Sequence, residues 1–335
     1  MNPPVPTLPA PDTGTETGVD AGVDALHAAI AAWFAASARD LPWRSAERTP
    51  WGVFVSEIML QQTPVVRVLP VWEEWLARWP TPAHLASEPA GEAVRHWGRL
   101  GYPRRALRLH AAASAMVDRH EGAVPADYDT LLTLPGVGSY TAAAVAAFAF
   151  GARETVVDTN IRRVHARLLG GKALPAPALT AAEMRRAALL LPDDDALSVR
   201  WNVGVMELGA VVCTARSPRC EACPVLESCA WVAAGRPEPD YIPKGQAWAG
   251  TDRQVRGAIL AVLREAEGCV GPELLLSGPV DLVHRPANPP TNDSSTALDS
   301  LHRLRAPAEQ LERSLAGLLT DGLAEETAMG IRLPQ

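Results

Sequence analysis

Apolar positions recur at helical spacing through most of the chain, and no convincing alternating strand pattern precedes residue 320. The helical pattern begins at Asp24. Ala25, Ile30, Trp33 and Phe34 line one face, and Pro42 in the LPWR stretch (Leu41 to Arg44) stops it. Residues 53–61 form a second apolar helix ending near Pro64. Further helices are predicted over 65–79, 83–88, 91–98 and 104–119, punctuated by Pro80, Pro82, Gly91 and Gly101. Residues 139–150, SYTAAAVAAFAF, are small and apolar on every side, the pattern of a helix buried at close approach to its neighbours. Residues 159–169 repeat Ile161, Val164 and Leu168, and helices over 181–191 and 197–210 follow. The fold class up to residue 232 therefore reads as all-α.

Residues 233–251 are Pro/Gly-rich and read as a linker. Residues 252–266 then show a helix with Val255, Ile259, Leu260 and Leu263 on one face. Residues 307–320 show another, with Leu311, Leu315, Leu318 and Leu319. Residues 280–298 are a Pro/Asn/Ser-rich loop. The closing GLAEETAMGIRLP reads as a hairpin with its turn near Gly330. Helix, helix and hairpin over 252–335 suggest a small winged-helix module. Residues 1–23, acidic and rich in Pro, Gly and Thr, read as a disordered tail.

The 335 residues are 47% hydrophobic and 21% charged, a soluble globular composition with room for two or three domains. No run of 18 apolar residues is present, which excludes a helical membrane span. The N-terminus has neither a basic stretch nor an apolar core of a signal peptide, so a cytoplasmic location is expected. The net charge of −7 argues mildly against a polyanionic partner, but the charge is uneven. Residues 39–232 hold 21 basic and 20 acidic residues, whereas residues 233–335 hold 10 and 14. Arg95, Arg99, Arg104, Arg105 and Arg108 form one basic cluster, and Arg162, Arg163 and Arg167 another. Each reads as a patch that steers a polyanion or, alternatively, as a solvated helix face.

Four of the five cysteines, Cys213, Cys220, Cys223 and Cys229, fall within 17 residues as C-x6-C-x2-C-x5-C. In a reducing compartment such a set favours zinc or an iron–sulfur cluster over disulfides. Zinc sites usually pair two short knuckles across a longer gap, whereas these gaps encircle a bulkier 4Fe-4S cubane more naturally. Cys269 lies apart and reads as an ordinary core cysteine.

Two further features carry candidate chemistry. LPGVG at 134–138 joins two predicted helices. Gly136 and Gly138 around Val137 leave amides outward at a helix N-terminus, where a phosphate binds without any side chain. A plain helix–turn–helix joint is the alternative. Two carboxylates then stand out. Asp158 in VVDTN precedes a helix and is also a natural N-cap. Glu57 in VFVSEIML belongs either to a solvated stripe or to an apolar packing site. In the latter its pKa would rise, making it a proton donor.

LPWR, SEIMLQQTPV, LGY, LPGVGSYTA, VVDTNIRRV and the cysteine run occur in the order of the helix–hairpin–helix DNA glycosylase superfamily. Over residues 25–232 the chain resembles its MutY-type adenine DNA glycosylases. The resemblance implies a two-lobed glycosylase core over 24–232. One lobe is a six-helix lobe over about 45–150 carrying the hairpin. The other comprises 24–44 and 151–232, with the cluster loop at 213–229. It implies one 4Fe-4S cluster on the four cysteines, with a structural and DNA-positioning role, and further backbone contacts from Arg216 and Arg219. It implies a monomer acting on double-stranded DNA that carries adenine opposite 8-oxoguanine or guanine, associated with a bacterial nucleoid.

By the same resemblance, Glu57 is the general acid that protonates adenine N7, and Asp158 stays ionised to stabilise the oxocarbenium ion. Tyr140 and Asn160 position them. Arg39, Trp43 and Arg44 line the adenine pocket, with a core tryptophan as the alternative for Trp43. Gln62 and Thr63 enter the duplex, Leu100 and Tyr102 wedge beside the opposite base, and the amides at Gly136 and Gly138 hold a phosphate. Bifunctional endonuclease III-like lyases have a lysine where this chain has Tyr140, so a monofunctional enzyme is implied.

Three departures qualify the likeness. Asp158-Thr159-Asn160 stands where DGN is common, Pro103 replaces a frequent second tyrosine, and residues 252–335 show no Nudix-type pattern. The rival readings are an endonuclease III-like lyase or thymine-mismatch glycosylase, and a non-catalytic iron–sulfur DNA-binding regulator.

Overall fold

Helices make up nearly all the regular structure of residues 16–242, 245, 247–277 and 295–335, which this computed structural model describes. In chain order they begin with α1 (Glu16–Ser37), α2 (Pro50–Leu60), α3 (Val65–Arg78), α4 (Pro82–Ala86), α5 (Ala90–His96) and α6 (Arg104–Arg119). α7 (Tyr128–Leu132), α8 (Ser139–Phe150), α9 (Thr159–Leu168), α10 (Ala181–Leu189), α11 (Asp195–Val211) and α12 (Ala230–Ala233) follow. The chain closes with α13 (Asp252–Glu265), α14 (Pro272–Leu276), α15 (Ser295–Arg303), α16 (Ala308–Thr320) and the hairpin β1 (Glu325–Thr327) and β2 (Gly330–Arg332). No helix among the described residues is long and apolar enough to cross a membrane.

The chain divides into two compact units. One comprises the residues up to Asp40 with Arg153–Ile242, and the other comprises Leu41–Ala152 with the residues after Ile242.

In the first unit α1 packs on α11. Leu26 and Ile30 are its buried positions, and Ala25, expected on the apolar face, is exposed. Gly204 of α11 permits the approach, because a Cβ there would sit 2.7 Å from Ile30 Cγ2. α1 begins at Glu16, which corrects the tail expected over 1–23 for its last eight residues; residues 1–15 lie outside the described residues.

In the second unit α2 starts three residues earlier than its apolar run suggests. The Thr49 hydroxyl accepts from Gly52 N at 3.0 Å, and Pro50 fills the first helical position. Three tryptophans anchor the core beside it. Trp75 meets Trp79 and Trp97 edge-on at 4.8 and 5.5 Å, and all three are almost wholly buried.

The C-terminal helices share this core, with Ile259, Leu260, Leu315 and Ile331 in one cluster with the tryptophans. α13 packs on α15 and α16, and Val270 pairs with Ile331 of the hairpin as an isolated antiparallel bridge. The segment is clamped to α5 by backbone. Gly91 N donates to Pro334 O at 2.7 Å, Arg264 Nε donates to Val94 O at 2.8 Å, and Arg95 Nη1 donates to Ala266 O at 3.0 Å. Of the loop expected over 280–298, residues 295–298 belong to α15 and the remainder lies outside the described residues. The unpredicted α7 and α14 are five residues each, too short to show a period.

Candidate active site and cluster loop

α2 is buried from Trp51 to Met59, and Glu57 is only 6% exposed within it. A carboxyl group packed this way needs a polar partner. Tyr140, in the first turn of α8, donates its hydroxyl to Glu57 Oε2 at 2.9 Å. One turn along α2, Gln61 Nε2 donates to Thr141 Oγ1 at 3.2 Å, so two polar contacts tie α2 to the start of α8. Sequence reasoning passed over Gln61, although its i+4 spacing from Glu57 was the available signal.

The hairpin before α8 requires its first glycine on two counts. Gly136 has φ +77°, and a Cβ there would lie 2.6 Å from Arg108 Cβ. Gly138 caps α8 with no side-chain hydrogen bond, and both glycines are exposed, while Val137 packs against the core.

The residues expected to enter a duplex divide sharply. Gln62 and Tyr102 are exposed, and both adopt left-handed backbone, with φ +56° and +48°. Thr63 and Leu100 are buried, at 6% and 3% exposure. The Thr63 hydroxyl accepts from Arg105, and Leu100 fills the core.

Arg105 belongs neither to a surface patch nor to a solvated helix face, because it is 5% exposed. Its Nη1 donates to the main-chain oxygens of Ile58 and Met59, both at 2.9 Å, and of Gln61 at 2.6 Å. Its Nη2 donates to Thr63 Oγ1 at 2.9 Å and Gly101 O at 3.1 Å. Burial lowers its pKa to about 10.

In the other unit Asp158 caps α9, and Oδ1 accepts from Ile161 N at 2.7 Å. Oδ2 accepts from Asn160 Nδ2 at 2.7 Å. Burial pushes the Asp158 carboxyl above its ordinary value, against the pull of these hydrogen bonds and of the Arg163 charge. Asn160 is held in turn, because Arg163 Nη2 donates to its Oδ1 at 2.8 Å. Gly209 of α11 makes room for it, since a Cβ there would meet Asn160 Cβ at 2.7 Å.

Arg163 continues to the cysteine loop, with Nε donating to Cys213 O at 2.7 Å and Nη2 to Gly209 O at 2.7 Å. Arg167 donates to Thr214 O at 2.7 Å, Ala215 O at 3.0 Å and Cys213 Sγ at 3.4 Å, and lies over the Trp231 ring at 4.7 Å. Arg162 is spent on Glu183, at 2.9 Å. The second basic cluster is thus neither a solvated face nor a surface patch, because all three arginines are buried and hydrogen-bonded.

Arg216 and Arg219 of the loop are exposed. Burial first, and then the neighbouring Cys213, Cys229 and Cys220, raise the Cys223 thiol to about 11. The short loops, the four cysteines they carry and a sulfur-directed arginine N–H fit a thiolate-bound cluster. Cys269 is apart, its sulfur 3.4 Å from Thr327 Oγ1.

The three expected pocket residues have separate settings. Arg39 forms a two-pronged pair with Glu207, Nε to Oε1 at 2.6 Å and Nη2 to Oε2 at 2.7 Å, which commits its guanidinium to the first unit's interior. Trp43 lies in the core of the second unit, edge-on to Trp72 at 5.5 Å, the setting its alternative reading gives it. Arg44 is half-buried at the end of the 3-10 turn Pro42–Arg44.

Residues 55–188 match the HhH-GPD superfamily base excision DNA repair proteins, and residues 213–229 match the iron–sulfur binding domain of endonuclease III. An adenine DNA glycosylase of Mycobacterium tuberculosis is 52% identical over 239 residues, 71% of this chain and 78% of that protein. Another from Mycolicibacterium smegmatis is 46% identical over 301 residues, 90% of this chain and 93% of that protein. Among solved structures, a thermostable thymine-DNA glycosylase aligns with a TM-score of 0.58 at 28% identity, covering 65% of this chain and 99% of that one. The chain belongs to the adenine DNA glycosylases of the HhH-GPD superfamily of base excision DNA repair proteins.

Proposed function

We propose that the protein excises adenine paired with 8-oxoguanine or guanine in duplex DNA, as a monofunctional glycosylase. The observation that carries this reading is the hydrogen bond of Tyr140 to the buried carboxyl group of Glu57, at 2.9 Å. A tyrosine at this position cannot form a Schiff base with the sugar, and it can orient an acid. Glu57 delivers a proton to N7 of the extruded adenine, and the C1′–N9 bond breaks with its electron pair leaving on the base. Asp158 stays ionised and stabilises the positive charge that develops on the sugar. Burial disfavours its charged form, and the contacts with Ile161 N–H and Asn160 work against that push. Gln62 and Tyr102 enter the duplex, and the amides around Gly136 and Gly138 bind a backbone phosphate. Cys213, Cys220, Cys223 and Cys229 hold one 4Fe-4S cluster, which organises the loop that carries Arg216 and Arg219. The protein acts as a monomer on bacterial DNA in the cytoplasm.

The likeness to a thymine-DNA glycosylase keeps a mismatched pyrimidine as the second substrate to test. The decisive experiment incubates the protein with duplexes carrying A opposite 8-oxoguanine, A opposite G, or T opposite G, then cleaves with alkali. Strand breaks at adenine only, lost in Glu57→Gln, are expected. Breaks that persist in Glu57→Gln would overturn the assignment, and an adduct trapped by borohydride would replace the monofunctional reading with a lyase. A broad absorption near 400 nm with bound iron is expected; a colourless zinc protein would sink the cluster.

A further inference from the structure

Two non-glycine residues with left-handed backbone stand on neighbouring turns of the second unit, Gln62 with φ +56° and Tyr102 with φ +48°. L-residues rarely adopt this conformation, and it persists only where the surroundings enforce it. The chain uses glycine next door for the same geometry, at Gly101 with φ +83°, and yet retains side chains at 62 and 102. Both side chains are exposed. The strain therefore aims two side chains outward from a buried base.

One residue underlies both turns. Arg105 donates to Gln61 O at 2.6 Å and Gly101 O at 3.1 Å, the carbonyls immediately preceding the two strained residues. Its planar fork spans them in a way an ammonium cannot. The guanidinium also lies 5.5 Å from the Tyr102 ring and 5.1 Å from that of Trp97, whose indole N–H shares Gly101 O at 2.9 Å. Thr63 and the end of α2 complete its acceptor set.

We infer that Arg105 is a positioning residue that pre-forms Gln62 and Tyr102 as one rigid pair for entry into the duplex. It touches neither DNA nor the reacting base. It acts by holding the two turns in register before binding, so that no ordering remains to be done when the adenine is extruded. The inference rests on the duplex-entry role proposed for Gln62 and Tyr102.

The test uses the full protein and a duplex with 2-aminopurine beside the target adenine, whose fluorescence rises when the bases unstack. Arg105→Lys keeps the charge and loses the fork. It is expected to reduce the fluorescence rise and to slow single-turnover excision on the order of ten- to a hundredfold, the scale of a small misplacement. Arg105→Gln should do the same. In a Gln62→Ala/Tyr102→Ala background, Arg105→Lys should add nothing further. An unchanged fluorescence rise in Arg105→Lys, or fully additive losses in the triple variant, would overturn the inference. If Gln62→Ala and Tyr102→Ala themselves leave the rise unchanged, the duplex-entry reading fails, and the role of Arg105 fails with it. Should the Arg105 variants melt below the assay temperature, Thr63→Val removes one acceptor only. It is then expected to cost about fivefold with the same non-additivity, and an additive loss would refute the role.

Discussion

Asn160 donates its side-chain amide to Asp158 at 2.7 Å while accepting from Arg163 at 2.8 Å, and Arg163 reaches the carbonyl of Cys213 at 2.7 Å. Asp158 and the cysteine loop are thus joined through two side chains within one unit. Replacing Arg163 with Met leaves Asn160 unanchored and the Cys213 carbonyl without its buried donor. Reduced iron content and a lower melting temperature are expected, along with excision on the order of tenfold slower per intact cluster. Iron analysis alongside single-turnover rates checks this, and an unchanged rate in cluster-loaded protein would contradict it.

Asp158→Asn separates chemistry from capping. Asn keeps the N-cap oxygen and loses the charge, so α9 should persist while excision falls on the order of a hundred- to a thousandfold. Because burial raises the folded-state pKa, ionising Asp158 costs stability. That cost is absent below the unfolded carboxyl pKa of about 3.9 and grows as pH rises through the folded value. Asp158→Asn should therefore melt higher than the parent at pH 7.5, with the gap closing near pH 4. Melting curves at the two pH values decide it.

Tyr140→Phe removes the hydroxyl that serves Glu57 Oε2. Loss of a hydrogen bond to an acidic group is worth about 1.5–3 kcal/mol, or about ten- to a hundredfold in rate. The expected outcome is slower excision with DNA affinity retained, measured by single turnover and by binding to an uncleavable duplex.

Arg39→Ala removes the two-pronged partner of Glu207, whose side chain is wholly buried while that of Arg39 is 37% exposed. Breaking a buried pair costs 3–5 kcal/mol; partial exposure of Arg39 reduces the expectation to about 2 kcal/mol. Arg39→Ala/Glu207→Gln should recover much of it in denaturant melts. An activity loss with no change in stability would return Arg39 to the pocket.

Gly209→Ala tests the close approach of α11 to α9. The added methyl would fall 2.8 Å from Asn160 O and 2.7 Å from its Cβ, so backbone must yield. About 1–3 kcal/mol of destabilisation and slower excision are expected together; a variant with parental melting and rate would show that the contact is soft.

Much was legible in the sequence because it is local. A helical period marks α6 at its observed limits, since sixteen residues show several turns of pattern, and an unbroken small apolar run marks α8 at its own. The cysteine spacing and the aspartate before a helix are likewise short-range signals, and they correspond to one short loop and to the N-cap of α9. What the sequence could not show is where long side chains end. Arg105, Arg162, Arg163 and Arg167 read as surface charge, and in the structure their fixed forks saturate buried carbonyls from distant segments. Thr63 and Leu100 sit beside Gln62 and Tyr102 in sequence and yet face inward. The residues that meet solvent are those with left-handed backbone, at 62 and 102, and Arg105 bonds the carbonyl just before each of them, a long-range contact the sequence does not display.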